Sequence, residues 1–403
     1  VVVRGEGVWL HDAEGRAYLD AYNNVPLVGH CHPRVVEALA RQAALLNTHT
    51  RYLHEGVLEY AERLLSLLPA ELDRVMFTCT GSEANELALR VARARTGHEG
   101  VIVTRHAYHG NTSALALLSP SYPNPEPRAG WVEAIPAPDS YRVAGERSGE
   151  EACASCLREV DEAIERLARR GIHVAALLLD TGLTSDGMVR APPGFVAGAV
   201  ERVRRAGGVF IADEVQVGLG RVGTHWWAFE AQGVVPDIVT MGKPLGNGHP
   251  LGAVVTTPEI AARFANGMEY FNTFGGNPVS CAIGREVLAV MEREGLRERA
   301  RETGAYLTDR LRDLGGRHPA VGDVRGTGLF LGVELVEDRD TRAPAGRVAA
   351  YVANRMRDAG VLVSTDGPHH NVLKIKPPLC FDRRDADQLA ATMDRVLGET
   401  AAQ

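Results

Sequence analysis

Ile238-Val239-Thr240-Met241-Gly242-Lys243-Pro244-Leu245-Gly246-Asn247-Gly248-His249-Pro250 reads as a short buried strand followed by a loop dense in glycine and proline. The run delivers one lysine, Lys243, into that loop. A lysine amine becomes a nucleophile when burial or nearby positive charge lowers its pKa, and its best-known product is a Schiff base with an aldehyde. Two apolar runs upstream end in acids: Val174-Ala175-Ala176-Leu177-Leu178-Leu179-Asp180 and Val209-Phe210-Ile211-Ala212-Asp213-Glu214-Val215-Gln216. Ligands of open α/β sheets bind beyond the carboxyl ends of the strands, which makes both acids candidates for chemistry. Roughly 30 residues separate Asp213 from Lys243, room for one crossover between neighbouring strands.

A pyridoxal phosphate site needs such a lysine together with a carboxylate facing the pyridine nitrogen, a phosphate cradle and an aromatic ring to stack on the cofactor. Asp213 has the form of the carboxylate; buried there, it would keep the nitrogen protonated and make the ring an electron sink. In Arg74-Val75-Met76-Phe77-Thr78-Cys79-Thr80-Gly81-Ser82-Glu83-Ala84-Asn85 a strand passes through a glycine turn into a helix marked by Ala84, Leu87, Ala88, Val91 and Ala92. Free amides at such a helix start bind a phosphate dianion, and Gly81 lets the backbone come close. The same residues also fit a plain capped helix, with Ser82 as N-cap and Asn85 in the first turn. Val101-Ile102-Val103 leads into Arg105-His106-Ala107-Tyr108-His109-Gly110-Asn111, where Tyr108 is placed either to stack on a flat cofactor or to fill core.

Outward from these motifs, residues 1–20 alternate apolar and polar and read as a hairpin turning at Asp12-Ala13-Glu14-Gly15. Tyr22 to His30, with Asn24 inside it, is a loop of polar and breaker residues of the kind that carries function. Residues 33–46 predict a helix with Val36, Leu39, Ala40 and Ala43 on its inner face, and 52–68 another with Leu58, Ala61, Leu64 and Leu65 inward. Residues 119–155 read as a surface excursion, 252–256 as a strand, 279–315 as one long helical stretch, and 326–335 and 371–375 as strands. The expected division is a large domain over 47–285 and a smaller α/β domain built from 1–46 and 286–403.

The 403 residues carry a net charge of −7, which argues against nucleic acid or an anionic membrane as the main partner. Nothing resembles a signal peptide or a long apolar span, so the cytosol is the expected location. Six scattered cysteines fit a reducing compartment. Cys153 and Cys156 fall in a helical-looking stretch without a second pair, and neither His30-Cys31-His32 nor His369-His370 has companion ligands, so no metal is expected.

Taken together, Gly81-Ser82-Glu83-Ala84-Asn85, Tyr108-His109-Gly110, Asp213-Glu214-Val215-Gln216-Val217-Gly218-Leu219-Gly220-Arg221 and the Lys243 loop resemble the class III aminotransferases of pyridoxal phosphate fold type I. That resemblance covers nearly the whole chain. It implies a large doubly wound, mostly parallel sheet with a smaller α/β domain. Lys243 would form the Schiff base and shuttle the α-proton, Asp213 would pair with the pyridine nitrogen, and Gln216 would reach the ring hydroxyl. Tyr108 and Val215 would sandwich the ring, and Gly81 and Ser82 would hold the phosphate. Thr273 would complete that phosphate site from the other subunit of a homodimer.

Within the class, the Lys243 loop, Gly267-Met268-Glu269-Tyr270-Phe271-Asn272-Thr273 and Asp366-Gly367-Pro368-His369-His370-Asn371-Val372-Leu373-Lys374-Ile375-Lys376-Pro377-Pro378 resemble the ethanolamine-phosphate and phosphohydroxylysine phospho-lyases. Transaminases of the class usually place an arginine where Lys374 stands, to clamp a substrate carboxylate with two parallel bonds. A lysine offers only a point charge. The resemblance therefore implies elimination of phosphate from a phosphorylated amine, with transamination to a keto acid as the alternative. A leaving dianion asks for a basic pocket, and Asn24, Arg51 and Lys374 are the candidate substrate contacts. Two features depart from the pattern: Asp180 stands where members generally carry glutamate, and the sequence opens at the hairpin, without the N-terminal arm they usually have.

Overall fold

In a computed structural model, which describes residues 1–119, 121, 128–143, 149–267 and 269–400, the apolar runs form the middle of a seven-stranded sheet. Residues 120, 122–127 and 144–148 of the expected surface excursion, and Met268, lie outside the described residues. The strand order is Arg74–Thr78, Gly252–Thr256, Ile238–Met241, Val209–Asp213, Val174–Asp180, Gly100–Thr104, Val132–Ile135. Gly252–Thr256 runs antiparallel to both of its neighbours, Arg74–Thr78 and Ile238–Met241, and the five strands from Ile238–Met241 outward lie parallel. Every residue of Val174–Asp180, Val209–Asp213, Ile238–Met241 and Gly252–Thr256 is buried. Unbroken apolar strands of this kind need cover on both faces. The helix Gly81–Thr96 supplies it on one face through Ala84, Leu87, Ala88 and Val91, and Gly149–Arg169 with Phe195–Arg205 supplies it on the other. This is the doubly wound, mostly parallel α/β sheet that the resemblance implies.

Register decides what this sheet presents at its carboxyl edge. Asp180 pairs with Asp213 and Asp213 with Thr240, three residues before Lys243. Both acids and the lysine therefore emerge side by side.

Two smaller sheets flank the large one. In the first, Val2–Glu6, Trp9–Asp12 and Ala17–Asp20 form an antiparallel meander, and Val361–Leu362 adds in parallel. The opening is thus three strands rather than one hairpin, because Gly7 takes a positive φ of 56° and turns the chain once more before Asp12. The second sheet orders Val321–Gly326, Leu331–Asp338, Val372–Ile375 and Ser364–Asp366.

Other expectations change in detail. The long helical stretch is two helices, Pro278–Arg293 and Leu296–Arg317, broken at Gly295 with its left-handed φ of 60°. Helix Pro33–Leu45 buries Val35 and Ala38, leaving Val36 and Leu39 51% and 39% exposed. Helix Glu55–Leu65 buries Tyr60 and Leu64 and leaves Leu58 57% exposed. Periodicity identified residues that share a face; on the first helix that face looks outward in the single chain, while on the second Leu64 is buried as expected and Leu58 is not.

Candidate active site

Lys243 opens a short 3-10 turn, Lys243–Gly246, directly after the strand Ile238–Met241 and Gly242. The turn is anchored from outside the sheet. Asn247, in a left-handed conformation, accepts from Val28 N at 2.9 Å and donates to Gly29 O at 2.9 Å. Gly242 lies so close to the start of the Gly81 helix that a Cβ on it would stand 3.2 Å from Gly81 Cα. Burial lowers the pKa of the Lys243 amine; Asp213 and Asp180 act against this, and Lys374 reinforces it.

Asp213 is held by three donors. Asn85 Nδ2 and His109 Nδ1 reach its Oδ2 at 2.8 and 2.7 Å, and Val215 N reaches Oδ1 at 3.0 Å. Asn85 is itself fixed, donating to His109 O at 2.7 Å and accepting from Thr240 Oγ1 at 2.6 Å. All of these side chains are buried. A carboxylate has about four acceptor positions, so one remains for a further N–H. Sequence reasoning quoted Asn85 and His109 without giving them this part. The available signal was a polar residue, Asn85, on the apolar face of its helix.

The helix Gly81–Thr96 is capped by Thr80, not by Ser82: Thr80 Oγ1 accepts from Glu83 N at 3.1 Å, and Glu83 reaches back to Thr80 N at 3.2 Å. This capping box satisfies the third amide of the helix and leaves those of Gly81 and Ser82 as the donors on the wall of a cavity of about 110 Å³. Gly81, Ser82, Tyr108, Asp213, Val215, Gln216 and Lys243 all line that cavity. A Cβ at Gly81 would stand 2.8 Å from Val215 Cγ1, and one at Gly110 would stand 2.7 Å from Ser82 Oγ, so glycine is required at both positions. Asp180 lies on the same wall with its oxygens turned back to Gly182 N at 2.9 Å and Thr184 N at 3.0 Å. Burial, then the neighbouring Asp213, raises its pKa.

A second cavity, of about 400 Å³, shares Tyr108, Gln216 and Lys243 with the first. Asn24, Tyr22, Asp366, His370, Lys374 and Lys376 stand on its other walls. Lys374 is ion-paired with Asp366. Lys376 Nζ donates to Gln216 Oε1 at 2.7 Å and to Asn24 Oδ1 at 3.2 Å, and Asn24 Nδ2 donates to Gln216 O at 2.9 Å. With its oxygen taken by a lysine, the Gln216 amide has its NH₂ left to donate elsewhere. Lys376, which sequence reasoning did not single out, joins Lys374 on this wall because residues two apart on a strand point the same way.

Two of the expected residues are not brought to Lys243 within the chain. Arg51 lines a separate cavity of about 360 Å³, where it bonds Glu269 at 3.1 Å and lies 4.3 Å from the Phe271 ring centroid. Thr273 is exposed, in the segment between Phe271 and Phe274, which are also exposed.

The smaller cavity suits a flat, phosphorylated pyridine aldehyde: an amine, an immobilised carboxylate with one acceptor position left, and two helix-start amides surround one space. Comparison with known proteins bears on the same point. The model of the family described as "Aminotransferase class-III" matches residues 1–397. The Drosophila melanogaster protein named alanine–glyoxylate aminotransferase 2-like is 47% identical over 395 residues, covering 96% of this chain and 80% of that one. The Caenorhabditis elegans ethanolamine-phosphate phospho-lyase homolog 1 is 40% identical, covering 98% and 88%. A phospholyase from Arthrobacter, solved in complex with phosphoethanolamine, superposes with a TM-score of 0.96 at 45% identity, covering 98% and 94%.

Proposed function

The chain belongs to the class III aminotransferases, and within that family we propose that it is a phospho-lyase, eliminating phosphate from an O-phosphorylated amino alcohol such as ethanolamine phosphate to give an aldehyde, ammonia and phosphate. The observation that carries this reading is the pair Lys374 and Lys376 in the larger cavity, beside Lys243. A planar carboxylate is best gripped by a guanidinium fork, whereas two ammonium groups suit a phosphate, which accepts bonds from several directions. The likeness to the Arthrobacter phospholyase supports the same choice.

The cofactor is pyridoxal phosphate, as in the family. When bound it supplies an aldehyde to join the amine and a protonated ring to draw off an electron pair. Lys243 would hold the aldehyde, Asp213 the ring nitrogen and the Gln216 amide the ring oxygen; Tyr108 and Val215 would flank the ring, and Gly81 and Ser82 the phosphate. Lys243, whose pKa burial lowers, removes the proton from the carbon next to the substrate nitrogen. The C–O bond to phosphate then breaks, its electron pair leaving with the phosphate, and the ammonium groups of Lys374 and Lys376 stabilise that charge. Water completes the balance, releasing aldehyde and ammonia.

A second copy of the chain completes the site in this reading. Thr273 and Arg51 lie on a surface that also exposes Leu58, Phe271 and Phe274, an apolar grouping of the kind that marks a protein interface. Transamination to a keto acid is the second reading, favoured by the name of the Drosophila relative. The two separate in one experiment: phosphate release from ethanolamine phosphate by the holoenzyme without keto acid, beside amine transfer to pyruvate. Catalytic phosphate release is expected. Transfer without phosphate release would make the protein a transaminase.

A further inference from the structure

Lys376 is only 3% exposed, yet its amine has no carboxylate partner among the described residues. Its two acceptors, Asn24 Oδ1 and Gln216 Oε1, are neutral amide oxygens, and the Tyr22 ring centroid lies 5.3 Å away. The charged groups around it are Lys374 on its own segment, Lys243 from the loop after Ile238–Met241, the buried Arg221, and Asp366 from the neighbouring strand. Asp366 is already engaged by Lys374. Three basic side chains thus stand around the amine against one carboxylate that another lysine has taken.

Hydrogen-bond geometry matches this charge balance. A neutral primary amine has two N–H bonds to donate, and Lys376 has two acceptors. Its remaining tetrahedral position holds a lone pair until a third proton arrives. Burial, reinforced by Lys374, Lys243 and Arg221, holds the pKa of this amine well below the usual lysine value, with Asp366 acting against them.

Building on the phospho-lyase reading, we infer that Lys376 is a proton-linked phosphate-binding residue: it rests as a neutral amine and takes up one proton when a phosphate dianion enters the cavity, the new N–H bonding a phosphate oxygen. The balance is –NH₂ plus H⁺ giving –NH₃⁺, with the proton drawn from solvent or from the substrate ammonium, which must lose one before its nitrogen can react. Lys376 thereby matches the charge of the cavity to its occupant. Empty, the cavity is spared a further buried cation; filled, it offers two ammonium groups to a doubly charged leaving group. Wherever the free amine is neutral and the bound one is protonated, dianion affinity falls about tenfold per unit rise in pH.

The test uses sulfate, which stays a dianion across the working pH range, titrated calorimetrically into the pyridoxal phosphate-loaded enzyme at pH 8 in two buffers of different ionisation enthalpy. Wild type is expected to take up about one proton per sulfate bound. Lys376→Arg carries a fixed charge and should bind sulfate without proton uptake; Lys376→Met should lose both the uptake and most of the affinity. Binding by wild type without proton uptake, uptake that survives in Lys376→Arg, or no sulfate binding at all would each overturn the inference. Phosphate release from ethanolamine phosphate is measured alongside. Release without proton linkage refutes the role of Lys376 and leaves the lyase standing, whereas proton linkage without release refutes the lyase and leaves the anion site.

Discussion

Replacing Lys374 by methionine removes a cation from the larger cavity and exposes what that cation was neutralising. Lys374 and Asp366 are ion-paired with side chains 9% and 18% exposed, so the methionine leaves a poorly solvated carboxylate facing the space in which a phosphate would sit. Two losses follow. One charge-assisted hydrogen bond to the substrate contributes about 1.5–3 kcal/mol. Repulsion between the uncovered Asp366 and a dianion adds on the order of 1–2 kcal/mol at the effective dielectric of a partly open cavity. At 1.36 kcal/mol per power of ten, kcat/KM for ethanolamine phosphate should fall by about two to three and a half powers of ten. The second loss is separable. Asp366→Asn in the Lys374→Met background removes the repelling charge and should recover about tenfold, a coupling that two independent sites would not show. The assay is phosphate release under kcat/KM conditions for wild type, both single variants and the double, with the cofactor absorbance band confirming that each is loaded. A loss below threefold in Lys374→Met, or equal losses in the single and double variants, would mean that Lys374 never meets the phosphate and only braces Asp366.

Asn85→Ala takes one of three donors from Asp213 and unfastens Thr240; cofactor affinity should drop about 10- to 100-fold, read by titrating apoprotein with pyridoxal phosphate, and an unchanged Kd would contradict the assigned part of this network. Asp186 is buried, accepts from Thr104 Oγ1 at 2.5 Å and from His106 N at 3.2 Å, and has its pKa pushed up to about 7 by burial. The folded chain therefore keeps a proton that the unfolded chain loses above about pH 4, and stability should fall as pH rises from about 4 to about 7, by about 4 kcal/mol at most. Denaturant midpoints of Asp186→Asn should be flatter than wild type across that window; parallel curves would refute the assignment. Val36→Glu with Leu39→Glu places charge on the exposed apolar face of the first helix, and should convert a dimer to monomer in sedimentation and weaken cofactor retention. A wild-type protein that is already monomeric would remove the basis for a shared site.

How much could be read in advance follows from how the fold gathers residues. In a mostly parallel sheet, whatever follows each apolar run lands at the same edge, so Asp180, Asp213 and Lys243 could be placed together from the strands alone. The grip of Asn85 and His109 on Asp213 depends on how a helix and a loop approach that edge, and no spacing along the chain encodes it. Lys376 was within reach: Leu373-Lys374-Ile375-Lys376 alternates apolar and charged residues, which puts both amines on one side of the strand. What concealed it was the ordinary expectation that lysines sit in water. The helix faces misled for a different reason. Periodicity says which side chains travel together, not what covers them, and Val36, Leu39 and Leu58 remain uncovered in the single chain. Leu58 shares a cavity with Arg51, which bonds Glu269 and stands apart from the cavities that Lys243 lines, and Thr273 is exposed two residues beyond Phe271 of that same cavity. Two discrepancies that look unrelated, apolar faces turned outward and site residues away from their site, share one physical remedy. A second copy docked on this surface would bury the leucines and carry Arg51 and Thr273 to the partner's cofactor cavity. The sedimentation experiment therefore tests the reading of the helices and the reading of the site together.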